Sequence, residues 1–285
     1  MIEVTMHDGT SINVNIQGEG QVLLLPVNPI PAEGSQAEEL KKWGVDPSLG
    51  KTLIDGLKDR YRVIAFDYEG HVMHNPKPDS LTPEQLSNDF LAIADRAGAE
   101  RFAYYGYSWL ALAGLQLALR SSRLSALIMG GFPPIGGPYK EMLQVTTATH
   151  AMAIANQGTY GSSYSQEQAD DFDWSTVEVT MSEAQTKQFV TLYESLQSFD
   201  DSAIQHLLRC SRLCFAGSAD RIEYGEKWGD VTVDIAGPFL KFRERLIEAG
   251  WDVALLEGLD HTSAMQPANV LPLIRSWLDS KPTAG

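Results

Sequence analysis

The stretch FAYYGYSWLALAGLQLALR (102–120) decides how this chain is read: an apolar, aromatic run passes through Gly106 and Ser108 directly into a long apolar segment. A serine hydroxyl becomes a useful nucleophile only when it is exposed and next to a base. A strand-to-helix turn at Ser108 exposes the side chain. The helix start also aims backbone N–H groups and the positive end of the dipole at a developing oxyanion. The other reading is a plain serine N-cap, common before helices. Leu110 stands two places after the serine, where a nucleophile turn usually has a second glycine. Ala111, Ala113 and Gly114 are expected to relieve that crowding, with the helix displaced or the leucine turned away from the strands.

Outward from this turn the pattern alternates. IEVTM and SINVNI flank turn residues His7 to Thr10 and read as a hairpin. QVLLLP is a continuous apolar run, as a strand buried on both faces requires. RVIAFDY (62–68), FAYYGYS (102–108), LSALIMGG (124–131), RLCFAGS (212–218) and DVALLEG (252–258) supply further strands. Helices separate them. LTPEQLSNDFLAIADRAGA has Thr82 as N-cap, Pro83 at the first helical position and Gln85 as a capping-box partner. Leu86, Phe90, Ile93 and Ala97 follow at helical spacing, and Gly98 ends the helix. The fold class is therefore α/β, with a mainly parallel sheet flanked by helices and function at the carboxyl ends of its strands.

Residues 134–205 break the rhythm. The segment holds Gly/Ser/Tyr-rich turns (NQGTYGSSYS), an acidic patch (DDFDW) and a helix opened by Ser182 and Gln185, with Phe189, Leu192, Tyr193 and Leu196 on one side. About seventy residues exceed what one crossover needs, so 134–205 is expected to be an inserted helical cap on a core of 1–133 and 206–285. Its Met, Tyr and Phe content suits an enclosed pocket for a small to medium, partly apolar substrate.

Bulk properties exclude other classes. A net charge of −15 argues against nucleic acid, whose phosphates demand clustered Lys and Arg. No apolar run is long enough to span a bilayer, and MIEVTMHDGT lacks the features of a secretory signal, so the expected address is cytoplasmic. Cys210 and Cys214 form neither a disulfide framework nor a zinc pattern and read as packing residues.

A base and an acid complete the serine chemistry. His261, in DVALLEGLDHTSAM, combines a position just past a strand with an order after Ser108. The remaining histidines fall in the loop after the fourth strand (His71, His74) or in a turn or the cap and its edge (His7, His150, His206). The acid that orients an imidazole is Asp220, just after RLCFAGS, with Glu223 as its competitor. The preceding strand end, MGGFPPIGG, offers no carboxylate.

Taken together, these residues resemble the α/β-hydrolase fold family over nearly the whole chain. Ser108, Asp220, His261 is the family's order of nucleophile, acid and base. LLLPVNP lies where the family has an apolar strand followed by His-Gly-x-Pro, and AFDYEGH resembles its Asp-x-x-Gly-His loop. The resemblance implies an eight-stranded sheet and an oxyanion hole from the backbone N–H groups of Asn28 and Trp109. The chain departs from the family at Pro26-Val27, which replaces His-Gly, and residues 26–50 form a long connection that can wall the pocket. The Asn28/Trp109 pair is also similar to the halide-binding pair of haloalkane dehalogenases. Those enzymes require an aspartate nucleophile where this chain has Ser108. Trp109 either lines the acyl pocket or packs under the cap.

The resemblance implies a cofactor-independent, metal-independent serine hydrolase acting on an ester, thioester, lactone or related acyl bond of a small molecule. A carbon–carbon bond hydrolase, an acyltransferase, or a ligand-binding protein without turnover are the alternatives, since fold and triad do not fix a substrate.

Overall fold

A computed structural model describes residues 1–156 and 180–281; the expected turn-rich run and acidic patch lie almost wholly outside them. Strands β1 (Ile2–Thr5), β2 (Ser11–Gln17) and β3 (Gln21–Leu25) open the chain. Helices α1 (Gly34–Lys42) and α2 (Leu49–Leu57), strand β4 (Tyr61–Phe66), and helices α3 (Tyr68–His74) and α4 (Pro83–Arg96) follow. Next come β5 (Phe102–Tyr107), α5 (Trp109–Arg120), β6 (Leu124–Gly130), α6 (Tyr139–Asn156) and α7 (Glu183–Glu194). The remainder holds β7 (Ser211–Gly217), the short β8 (Arg221–Glu223) and β9 (Thr232–Asp234), α8 (Ala236–Lys241), α9 (Arg243–Glu248), β10 (Trp251–Leu256), α10 (His261–Ala264) and α11 (Pro267–Asp279).

The main sheet has eight strands in the order β1-β2-β4-β3-β5-β6-β7-β10. The first two pairings are antiparallel and the rest are parallel. Period-two alternation builds a core on each face. Leu24, Ile64, Phe66 and Tyr104 enter one core. Leu23, Leu25, Val63, Ala65 and Tyr105 enter the other. The chain leaves β3 for β4 on one side and returns to β5 on the other, so a crevice opens where β3 and β5 end.

The eight expected strands all form. The β8–β9 hairpin is additional. At α4, the Thr82 side chain accepts from Gln85 N–H, but the reciprocal half of the capping box is absent, because Gln85 Oε1 is taken by Asn88. Gly98, at φ 66°, ends that helix. Ser182 and Gln185 make the full capping box at α7. His71 and His74 lie on α3 rather than in a loop, because Asp67 caps a helix there by accepting from Gly70 N–H.

No strand occurs between β6 and β7 among the described residues, and α6 packs along α7. Among those residues no helix is long and apolar enough to cross a membrane.

Candidate active site

Ser108 caps α5 at φ 56° and ψ −130°, a left-handed backbone that costs a non-glycine residue about 1–3 kcal/mol and concentrates at functional sites. The turn holds because both sides are anchored. Ser108 N–H donates to Gly130 O at 2.8 Å, and Ala111 N–H donates back to Ser108 O at 2.9 Å. Close approach of strand and helix falls at Gly106, where a Cβ would sit 2.3 Å from the Leu110 carbonyl oxygen. That carbonyl accepts from Tyr104 Oη at 2.7 Å. Leu110 itself is buried and borders the cavity below. Gly114 makes room for the Tyr104 ring, 2.4 Å from where its Cβ would be, and so serves the strand rather than relieving Leu110.

Asp220 and His261 are brought together by the loops after β7 and β10. Ser218 N–H donates to Leu256 O and Ala219 N–H to Leu259 O, at 2.9 and 3.0 Å. Asp220, wholly buried, then receives His261 Nδ1 at 2.9 Å on Oδ2 and 3.1 Å on Oδ1. With Nδ1–H directed at a carboxylate, Nε2 is left as the acceptor. His261 stands at the first position of α10 rather than in a loop, since Asp260 and Ser263 form a capping box there. Glu223 is exposed on β8 beside Arg221, so of the two carboxylates it is Asp220 that meets His261.

Tyr107, not anticipated from the sequence, fixes the histidine backbone. Its hydroxyl donates to the His261 carbonyl at 2.8 Å, and its ring lies 5.1 Å from the imidazole. Burial pushes its phenol pKa well up, which keeps the hydroxyl a donor.

Ser108 and His261 line one cavity of about 400 Å³, together with Asn28, Trp109 and Glu69. Much of its wall comes from Pro26 through Leu53, as the long connection led us to expect. Among the described residues the Ser108 hydroxyl has no hydrogen-bond partner, so the serine–histidine contact is open in this state. The backbone N–H groups of Asn28 and Trp109 are likewise without acceptors among the described residues. The Asn28 side chain is engaged in a local turn, its Oδ1 accepting from Ile30 N–H at 2.9 Å.

Trp109 stands between α7 and the cavity. Its ring meets Phe189 of α7 edge-on at 5.4 Å, and it also lines the cavity. Its indole Nε1 is buried without an acceptor at hydrogen-bond geometry, yet close enough to favour the charged form of Glu69. Glu69 went unnoticed in the sequence. It remains accessible from the cavity while protein crowds its carboxyl, and burial raises its pKa, with the Trp109 N–H opposing and Asp67 adding to the rise. Both cysteines are free; burial pushes the Cys210 thiol up to about 11 and Cys214 further, consistent with packing roles. Among the described residues no His/Cys/Asp/Glu group is arranged to hold a metal.

No protein-family model matches the chain, and no curated protein matches it. Solved structures do. A carboxylesterase of the ammonia-oxidizing thaumarchaeon Nitrososphaera gargenis is similar at 15% identity, with a TM-score of 0.61 and 98% of each chain covered. An epoxide hydrolase of the α/β-hydrolase superfamily, from hot-environment metagenomes, is similar at 14% identity, a TM-score of 0.56 and 98% of each chain. The bottromycin epimerase BotH, in complex with bottromycin A2, is similar at 16% identity and a TM-score of 0.53, over 97% of this chain and 98% of that one.

Proposed function

From the α/β-hydrolase fold that this chain adopts, we propose that the protein is a serine hydrolase cleaving an ester, thioester, lactone or related acyl bond of a small to medium substrate. The observation that carries this reading is the left-handed Ser108, held at the strand–helix junction in the cavity that also receives the Asp220-braced His261. Such strain persists where a structure over-determines it and function uses it.

In this reading the Ser108 hydroxyl attacks the substrate carbonyl as His261 Nε2 takes its proton. Asp220 holds the imidazole in the required tautomer and stabilises the imidazolium. The N–H groups of Asn28 and Trp109 donate to the tetrahedral oxyanion, a contribution worth about 3–4 kcal/mol per donor where one has been removed from a comparable site. Collapse breaks the carbonyl–leaving-group bond, and His261 protonates the departing oxygen, sulfur or nitrogen. Water, deprotonated by His261, then releases the acid and restores Ser108. The cycle balances without a cofactor. Residues 134–205 serve as the cap, a role supported by the packing of α6 on α7 and of Phe189 on Trp109.

A panel of p-nitrophenyl esters of graded chain length tests the reaction. Wild type is expected to turn over at least one member, and Ser108→Ala to lose about a thousandfold or more in kcat. Undiminished turnover by Ser108→Ala would overturn the assignment. A second reading, a ligand-binding protein without turnover, draws on the unbonded Ser108 hydroxyl, and the same panel separates the two.

A further inference from the structure

The cavity holds an ionisable group that the proposed hydrolysis does not use. Glu69 is the second residue of α3, and its carboxyl shares the cavity with Ser108 and His261. Asp46 and Asp67 line the same space, and no Lys or Arg does among the described residues; His261 is the basic side chain there. Asp67 is already occupied as the cap of α3, and Asp46 accepts from Ser48 N–H and Thr52 Oγ1. Glu69 has neither arrangement. Its polar contact is the Trp109 indole, whose own Nε1 is buried without an acceptor at hydrogen-bond geometry.

Glu69 is open to the cavity, and no Lys or Arg among the described residues lines that space to neutralise its carboxylate. The protein around the cavity raises its pKa, with the Trp109 N–H opposing. A carboxylate with a shifted pKa that faces a cleft without a counter-cation is positioned to meet a ligand there. The walls favour a particular partner. Tyr105, Tyr107 and Trp109 border the cavity, and aromatic faces attract organic cations alongside a carboxylate. An anionic ligand would meet three carboxylates and no fixed cation.

We propose that Glu69 is a specificity-determining residue that binds a cationic ammonium group of the substrate, so that the substrate class is an acyl compound carrying an alkylammonium in its acyl part. This rests on the serine-hydrolase reading for the reaction, but the cation site stands on Glu69 and its surroundings. Trp109 N–H and the ligand cation occupy different lone pairs of one carboxylate, which has room for both.

Binding and turnover are measured separately so that each idea fails on its own. The probes are the N-methylamides of 4-(trimethylammonio)butanoic acid and of its uncharged isostere, 5,5-dimethylhexanoic acid, titrated calorimetrically into wild type and Glu69→Gln. Wild type is expected to bind the cationic amide at least about tenfold more tightly, and Glu69→Gln to bring the two affinities together. Equal affinities in wild type, or an undiminished preference in Glu69→Gln, would overturn the inference. Ser108→Ala, with the carboxylate intact, is expected to keep the preference and serves as a second folded reference. The p-nitrophenyl esters of the same two acids then report on the reaction. Cation-selective binding without hydrolysis of either ester upholds the cation site and removes the hydrolase reading. Hydrolysis of both esters at equal kcat/KM, with equal amide affinities, does the reverse.

Discussion

The two flanks of α3 treat polar groups in opposite ways. On one flank, Lys77 is almost wholly buried, and its Nζ reaches Asp8 at 2.7 Å and Asp89 at 3.2 Å. Asp89 also accepts from Tyr68 Oη at 2.7 Å and from His7 N–H at 2.9 Å, and its Oδ1 lies 2.8 Å from His7 Nδ1. Thr10 links Asp8 to His71, and Lys77 N–H donates to Gln188 of α7 at 3.1 Å. Every charge there has an opposite or a donor. On the other flank, Glu69, the Trp109 indole and the Ser108 hydroxyl share a cavity with little or no partnering. The first arrangement ties the hairpin, α3, α4 and α7 into one body. The second leaves its groups to be completed by a ligand. One short helix therefore separates a buried, mutually satisfied network from a set of cavity-facing groups with few partners.

The largest effect should come from breaking the satisfied flank. Lys77→Met leaves Asp89 buried without its cation and is expected to cost about 3–5 kcal/mol, read from urea denaturation midpoints. A loss under about 1 kcal/mol would mean that the network is not a structural unit. Asp8→Asn is expected to cost less, about 1–2 kcal/mol at neutral pH. Burial would push Asp8 up, but its bonds to Lys77 and Thr10 outweigh this and hold it well below the usual carboxylate range. Its contribution is therefore present above the unfolded value and disappears as pH falls through the depressed folded one. The stabilities of wild type and Asp8→Asn should converge in acid, and a constant gap would contradict the pairing.

The smallest effect has the opposite sign. Glu69 is raised rather than lowered, so its ionisation opposes folding. That penalty is absent below the unfolded carboxylate value and develops as pH rises through the folded one. Glu69→Gln should match wild type in acid and exceed it modestly in Tm above neutrality. A destabilised Glu69→Gln at pH 8 would show that the carboxylate is held by the protein after all.

Much of the fold was legible because its signals are local. Short apolar runs set off by turns and helical stretches marked the eight strands, and Ser182 with Gln185 marked the start of α7. Helix α6 was missed because its Thr- and Ala-rich sequence places few residues in the core, with only Val145 and Ala153 buried. In the site, Asp220 could be ranked over Glu223 by strand-end position, but the reason for the ranking is the β8–β9 hairpin, which carries Glu223 outward. Glu69 could not be read at all. Nothing local marks it, because its place in the cavity depends on Trp109 and on the distant wall between Pro26 and Leu53.

The central claim is that Ser108 is an activated nucleophile. Intact-mass measurement after treatment with a fluorophosphonate probe tests it most directly, because the probe forms a covalent adduct only with a serine that a base can deprotonate. One adduct on wild type, mapped to the peptide containing Ser108 and missing from Ser108→Ala, is the predicted result. An unmodified wild-type protein, or an adduct that survives Ser108→Ala, would contradict it.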